Sequence, residues 1–415
     1  MKPQAKKQVL VFMLAPPLPA VAGGDIYAVN ALIPFAEHVD YHLFCFIGGE
    51  ADIAKVEKHR DAYAAVFRSV HLEPRPLMPF QMPKLAKGIK LAWHALQGLP
   101  FIDASYCSRS AVAAARRLVK QHRIDALEVN SAHLAFFRKF FPSIPGVLVS
   151  HNIEADIFPF WMPAGFRGWK AHFIEWVAGR SRKAAKDVEL GNAFGFSAMT
   201  FISSHDMARV TADVPKYLMP LHFPLDGVDY AQKPASVFNV LWMGGFGWYP
   251  NAEGVKWYAD EVHPHIRDAL EESGIVLHFC GSNPPEELRV LHDGSRIKVH
   301  GFVDDLKPIL DDAHLLIVPL LSGGGIRVKI VEAMSAGIPV LSTSKGCEGI
   351  GATDGVDILV ADNAVQFAQE ILACAKDRGR MARIAEAGLD LMRLRYSEQA
   401  SLDAKRNAYQ DAGVM

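Results

Sequence analysis

Three glycines, an arginine, a lysine and a glutamate fall within the eleven residues from Ser322 to Glu332, directly after the apolar run His314–Leu320. That run reads as a buried strand, which puts the glycines at a strand's carboxyl end. Lacking Cβ atoms, Gly323, Gly324 and Gly325 let the backbone approach a ligand closely and leave N–H groups for an anion. A helix expected from about Ile326 brings the positive end of its dipole to the same place. Arg327 offers a planar fork suited to two phosphate oxygens, and Lys329 a point charge. Glu332 sits among Ile330, Val331, Ala333 and Met334, where a carboxylate needs a partner that sugar hydroxyls could supply. The set suits a diphosphate joined to a ribose. The blander readings are solvated helix charge for the two cations, and a cap or salt bridge for Glu332.

Two further places can carry chemistry. His151 ends the apolar strand Gly146–Ser150, where it serves either a ligand or the packing, and Glu154 follows to orient it or an acceptor. Gly23-Gly24 follow the first strand and form either a phosphate and acceptor approach loop or a plain tight turn. No metal site is expected. There is no Asp-x-Asp, Asp304-Asp305 and Asp311-Asp312 diverge as neighbours, and the histidines lack ligand spacing. No Gly-x-Ser-x-Gly or complete phosphate-loop motif supports a hydrolase or ATPase. No Gly-x-Gly-x-x-Gly opens the first unit, which argues against a dinucleotide cofactor.

These residues need strands to hold them, and the chain supplies two series. At 415 residues it suits two domains. Strands are expected at Gln8–Leu14, Tyr41–Ile47, Asp125–Val129, Gly146–Ser150 and Ala198–Ile202, with helices at about Asp25–His38, Ala111–His122 and Gly168–Leu190. The pattern restarts after the Pro-containing stretch Pro220–Pro234. Strands are then expected at Val237–Met243, Val276–Cys280, Ile297–His300, His314–Leu320, Pro339–Thr343 and Ile358–Val360. Apolar strands alternating with helices predict two doubly wound, Rossmann-like parallel sheets that bind ligand at their carboxyl edges. The boundaries read 1–222 and 223–396, with a last helix at about Ser397–Gln410 that is expected to return to the first domain.

The net charge of −1 hides an asymmetry: 26 Lys+Arg against 20 Asp+Glu through Tyr230, then 18 against 25. Positive charge gathers in Lys84–Lys90 and Arg167–Lys186, interleaved with Phe, Trp, Leu and Ile. A solvated helix face is one reading; a surface resting on anionic membrane or receiving an anionic acceptor is the other. Nothing resembles a nucleic-acid recognition motif. Five scattered cysteines read as reduced thiols. Lys2, Lys6 and Lys7, the run Val9–Ala15 and Ala20-Val-Ala22 mimic a secretory signal, but cleavage there would remove the first strand. No apolar run reaches the roughly 18 residues of a membrane span, and a cytoplasmic protein is expected.

Gly323-Gly324-Gly325-Ile-Arg327-Val-Lys329-Ile-Val-Glu332-Ala-Met-x-x-Gly337-x-Pro339-Val resembles the nucleotide-sugar motif of GT-B glycosyltransferases of the "group 1" retaining type. Weaker matches follow in order: Pro16-Pro17 with Gly23-Gly24, His151-Asn-Ile-Glu154, Phe201-Ile-Ser203-Ser204, Gly227-Val-Asp229, Gly301-Phe-Val303 and Tyr396-Ser397. The resemblance implies catalytic roles for His151, Arg327 and Lys329. It implies nucleotide-sugar contacts at Gly23, Gly24, Gly245, Val303, Gly323, Gly324, Gly325 and Glu332. It also implies a glycan or lipid-linked acceptor, and a nucleoside diphosphate sugar as substrate rather than a bound cofactor. Two departures stand out. Gly324 occupies the place of the family's first glutamate, and Gly245-Phe-Gly-Trp248-Tyr-Pro250-Asn251 replaces the usual Arg and Lys after the second domain's first strand. An epimerase of the same fold, or a non-catalytic nucleotide-sugar binder, would use the same site.

Overall fold

The computed structural model describes residues 5–20, 23–76, 106–157, 169–225, 230 and 237–415. Its apolar runs become parallel strands in two separate sheets. The first contains β1 (Lys7–Met13), β2 (Val39–Ile47), β3 (Phe67–Pro74), β4 (Ala126–Asn130), β5 (Gly146–Ser150), β6 (Ala198–Phe201) and β7 (Lys216–Leu218), in the order β3-β2-β1-β4-β5-β6-β7. The second contains β8 (Phe238–Met243), β9 (Ile275–Cys280), β10 (Ile297–Gly301), β11 (Leu315–Val318), β12 (Val340–Ser342) and β13 (Leu359–Val360), in the order β10-β9-β8-β11-β12-β13. The helices that matter below are α1 (Gly23–Phe35), α2 (Arg109–His122), α3 (Trp169–Glu189), α4 (Tyr249–Trp257), α5 (Val328–Ser335), α6 (Ala364–Lys376), α7 (Arg378–Arg395) and α8 (Glu398–Asp411). The chain divides into two units, Met1–Pro220 with Gln399–Met415, and Leu221–Glu398.

Strand β1 shows why the apolar runs are continuous. Val9, Val11 and Met13 enter a cluster with Phe35 and Tyr41, while Leu10 and Phe12 enter another with Phe44 and Phe137. A strand covered on both faces has no polar side to alternate with. In each sheet the winding reverses once, between β1 and β4 and between β8 and β11. At such a switch point the flanking connections leave in opposite directions and open a crevice at the carboxyl ends. The loops after β1, β8 and β11, with the first turns of the helices they lead into, carry most of the candidate residues.

Helix α8 is part of the first unit's core through Ala408 and Tyr409. Its Lys405 Nζ lies 2.9 Å from Glu128 Oε2 with both side chains only 2% exposed. Tyr409 donates its hydroxyl to the same carboxylate, and Asn130 Nδ2 donates at 3.1 Å. The rings of Tyr41, Tyr409 and Phe35 surround the ammonium. A pair this deep persists because nearly every lone pair and proton is matched.

Some expectations shift. The run His314–Leu320 contributes only Leu315–Val318 to the sheet, since Pro319 has no N–H for the ladder. The helix expected from Ile326 begins at Val328, because Arg327 is extended, with φ −85° and ψ 98°. Strand β3 escapes the sequence pattern because FRSVHLEP mixes charges into an edge strand. Lys84–Lys90, Arg167, Gly227–Asp229 and the end of Ala20-Val-Ala22 lie outside the described residues.

Candidate functional site

In the second unit, the loop from β11 to α5 is pinned from both sides. Ser322 Oγ donates to Glu253 Oε2 of α4 at 2.5 Å, and Tyr249 donates to Oε1 of that carboxylate at 2.9 Å. Across the loop, Thr343 donates to the Leu320 carbonyl, and the Gly346 N–H donates to Thr343 Oγ1 at 2.9 Å. Gly323 and Gly325 adopt φ of 111° and 68°, which only glycine takes up without strain. Arg327 folds back over this loop. Its Nη1 donates to the carbonyls of Gly324 and, at 2.9 Å, Gly325, and a Cβ on Gly323 would come within 3.0 Å of Nη2. In this conformation one end of the guanidinium shapes the loop rather than reaching outward.

Lys329, in the first turn of α5, reaches the end of β8. Its Nζ donates to Asn251 Oδ1 at 3.1 Å and sits 4.5 Å from the centre of the Trp242 ring. Gly244, with φ 142°, makes this approach possible: a Cβ there would stand 2.8 Å from Nζ and 2.9 Å from Asn251 Nδ2. Asn251 is buried, and its Nδ2 donates to the Gly245 carbonyl at 2.9 Å. Burial, with the Arg327 charge adding to it, lowers the Lys329 pKa to about 7.

Glu332 is half-buried and its carboxylate makes no hydrogen bond or ion pair among the described residues; burial raises its pKa. A carboxylate in that state is poised to accept from a ligand's hydroxyls. Val303 is half-buried after β10, beside Phe302, which is 64% exposed.

In the first unit the structure brings Gly24 and His151 together. A Cβ on Gly24 would lie 3.1 Å from His151 Nδ1, and Gly23 opens helix α1 beside it. Tyr27, one turn into α1, packs edge-on to the imidazole with centroids 5.1 Å apart. Burial lowers the His151 pKa to about 4, against the pull of Glu154 and with help from His133. The ring is therefore neutral at pH 7. Its Nε2 is buried without a hydrogen-bond partner among the described residues.

Glu154 does not hydrogen-bond His151. It pairs with His133, Oε2 to Nε2 at 3.3 Å. Burial alone would raise its pKa, but His133, His151 and Asn152 outweigh that and hold it low. Glu189, at the end of α3, accepts the N–H groups of Glu154 at 2.7 Å and Ala155 at 3.1 Å. Burial and the neighbouring Glu154 charge push its pKa well up. Among the described residues no group of three or more His, Cys, Asp or Glu side chains could hold a metal.

Sequence reasoning gave no role to Asn251, Trp242, Gly244 or Glu253. The signal for Asn251 was present in Gly244-Gly245 followed by Pro250-Asn251, which places a short amide at a helix start beside a strand-end glycine.

Two parallel-sheet α/β units of seven and six strands make this a fold of the GT-B type. Residues 237–377 match the family model described as Glycosyl transferases group 1. The chain is 29% identical over 223 residues to a Klebsiella pneumoniae protein described as "Uncharacterized 44.6 kDa protein in cps region", covering 52% of this chain and 55% of that protein. It thus spans about half the length of the curated relative it matches. Among solved structures, Anabaena Alr3699/HepE in complex with UDP-glucose aligns with TM-score 0.62 at 15% identity, over 97% of this chain and 99% of that one. Sucrose-phosphate synthase from Thermosynechococcus elongatus aligns with TM-score 0.65 at 14% identity, over 99% and 100%. At these identities the likeness is one of fold. With the family match it supports a glycosyltransferase enzyme.

Proposed function

We propose that this protein moves a sugar from a nucleoside diphosphate sugar to an acceptor hydroxyl, with retention of anomeric configuration and without a metal ion. The observation that carries the reading is the convergence of the glycine loop, Arg327 and the Lys329 ammonium at the switch point of the second sheet. As the donor's bond breaks, negative charge grows on the departing diphosphate. Fixed cations and N–H groups where that charge develops are the strongest lever available, and one lost donor can cost about 3 kcal/mol. Glu332 would receive ribose hydroxyls. His151, neutral and with its buried Nε2 unpaired among the described residues, would contact the transferred sugar by hydrogen bonding rather than by charge.

The retaining outcome draws on the resemblance of the 323–340 segment to the group 1 retaining type. A role in surface polysaccharide or glycoconjugate synthesis draws on the curated relative, whose name places it in a cps region. A cytoplasmic enzyme working at the inner face of the plasma membrane, on a glycan or lipid-linked acceptor, draws on helix α3. There Trp176 is exposed with Arg180 stacked over it at 5.5 Å, and Arg182, Lys183 and Lys186 are exposed beyond. Among the described residues no helix is long and apolar enough to cross a membrane.

Calorimetric titration with UDP, GDP, ADP and their sugars tests the reading, with UDP tried first because HepE was crystallised with UDP-glucose. The donor that binds is then incubated with and without acceptor extract, and the product's anomeric configuration is read by NMR. Failure of every nucleoside diphosphate to bind would end the reading. An isomerised donor in the absence of acceptor would make the protein an epimerase instead.

A further inference from the structure

We propose that Asn251 is the positioning residue for the Lys329 ammonium, and that binding of the donor's diphosphate draws a proton from solvent onto that amine. The inference deepens the glycosyl-donor reading and rests on it. Asn251 has one job at each end of its amide. Nδ2 donates to the Gly245 carbonyl at 2.9 Å, which fixes which way the amide faces. Oδ1, so oriented, accepts from Lys329 Nζ at 3.1 Å. The amide is buried, so this orientation is not exchanged for one with water. The third boundary is the absent side chain of Gly244, whose Cβ would stand 2.8 Å from Nζ.

This cradle is neutral. The elements packed around the amine contribute the Trp242 ring from β8 and the amide from α4, while β11 carries no charge. The charge that acts on the amine is that of Arg327 on its own segment. Among the described residues neither Glu332 on that segment nor Glu253 on α4 pairs with it, and the Glu253 carboxylate receives Ser322 and Tyr249 instead. Lys329 forms no ion pair among the described residues. An ammonium held by an amide and a ring, with a guanidinium nearby, is under-compensated. Burial of that charge, with Arg327 adding to it, lowers its pKa to about 7, and an arriving diphosphate supplies the missing negative charge. The charged form is then favoured and a proton moves from buffer to Nζ. A carboxylate in the place of Asn251 would hold the lysine charged at all times and cancel its field before the donor arrives.

Two measurements test this on the full chain. UDP is titrated at pH 8 in buffers of different ionisation enthalpy, so that proton uptake appears as a buffer-dependent heat. At pH 8 UDP is itself fully ionised, so uptake reports the protein. The wild type is expected to take up most of one proton, and Lys329→Arg none, because a guanidinium is always charged. Asn251→Asp should bind UDP at least tenfold more weakly with no uptake. Asn251→Ala should also bind at least tenfold more weakly but keep the uptake. Equal heats across buffers for the wild type would overturn the coupling. Separately, [ε-13C]lysine NMR follows the Lys329 titration without ligand. Its midpoint should fall in Asn251→Ala and rise in Asn251→Asp; one unchanged midpoint in all three overturns the positioning role. If UDP, GDP and ADP all fail to bind the wild type, the donor reading falls and the coupling with it, while the NMR series still decides the part played by Asn251.

Discussion

Adding one methyl group at Gly244 tests the second-unit site more sharply than removing a charge. The residue holds φ 142°, where an L side chain is strained by roughly 1–3 kcal/mol. The new Cβ would also stand 2.8 Å from Lys329 Nζ and 2.9 Å from Asn251 Nδ2, well inside ordinary van der Waals contact. The lysine tip is the end of a flexible chain and will yield, so that clash adds little to the loss of stability. It is resolved by moving the ammonium off the strand end. For a unit of this size each kcal/mol is about 2–4 °C in Tm, so Gly244→Ala should melt roughly 2–12 °C lower. UDP affinity should fall at least tenfold at a temperature where the protein is fully folded, since a hydrogen bond to a charged group is worth about 1.5–3 kcal/mol. Gly247→Ala is the control: a Cβ there meets nothing within 4 Å, and both readouts should stay at wild type. Differential scanning calorimetry with UDP titration measures the pair. Wild-type affinity in Gly244→Ala would refute the claim that the missing side chain admits Lys329.

Arg327→Ala and Lys329→Ala should each lower kcat/KM at least tenfold in folded protein; near-normal turnover in both would remove the phosphate assignment. Glu332→Leu should weaken nucleoside diphosphate binding while raising Tm, because it replaces a half-buried carboxylate with no partner; a lowered Tm would show that Glu332 holds the fold. The His151 ring should stay neutral by NMR until about pH 4. Its folded-state pKa lies below the unfolded value near 6.5, so the unfolded chain binds the extra proton and stability falls as pH drops from about 6.5 towards 4. His151→Gln should flatten that decline, and a His151 midpoint near 6.5 would contradict its burial. Lys405→Met strands Glu128 without its cation and should cost about 3–5 kcal/mol of stability, read by denaturant unfolding; a loss below about 1 kcal/mol would mean the buried pair is not a net support.

The sheet architecture was legible because strands buried on both faces leave continuous apolar runs, as in Val9–Met13 and Leu315–Val318. The glycine loop was legible because Gly323 and Gly325 need φ values that few other residues tolerate. Orientation was not. A guanidinium beside three glycines can face outward or fold onto their carbonyls, and only the three-dimensional path of the loop shows Arg327 doing the latter. Asn251 was opaque for a related reason. It lies 78 positions from Lys329, and spacing along the chain says nothing about contacts made across a switch point. Glu154 looked like a partner for its near neighbour His151, yet the helix it opens turns it towards His133.

The return of α8 to the first unit has a consequence for synthesis. Lys405 stands 277 residues after Glu128, and at about 5–20 residues per second a ribosome needs roughly 15–55 s to cover that distance. Throughout that interval the nascent first sheet holds an unneutralised acidic side chain, together with the apolar patch of Phe35 and Tyr41 that Tyr409 later covers. The first unit therefore waits for the helix that carries its buried cation until the whole of the second unit, Leu221–Glu398, has been made.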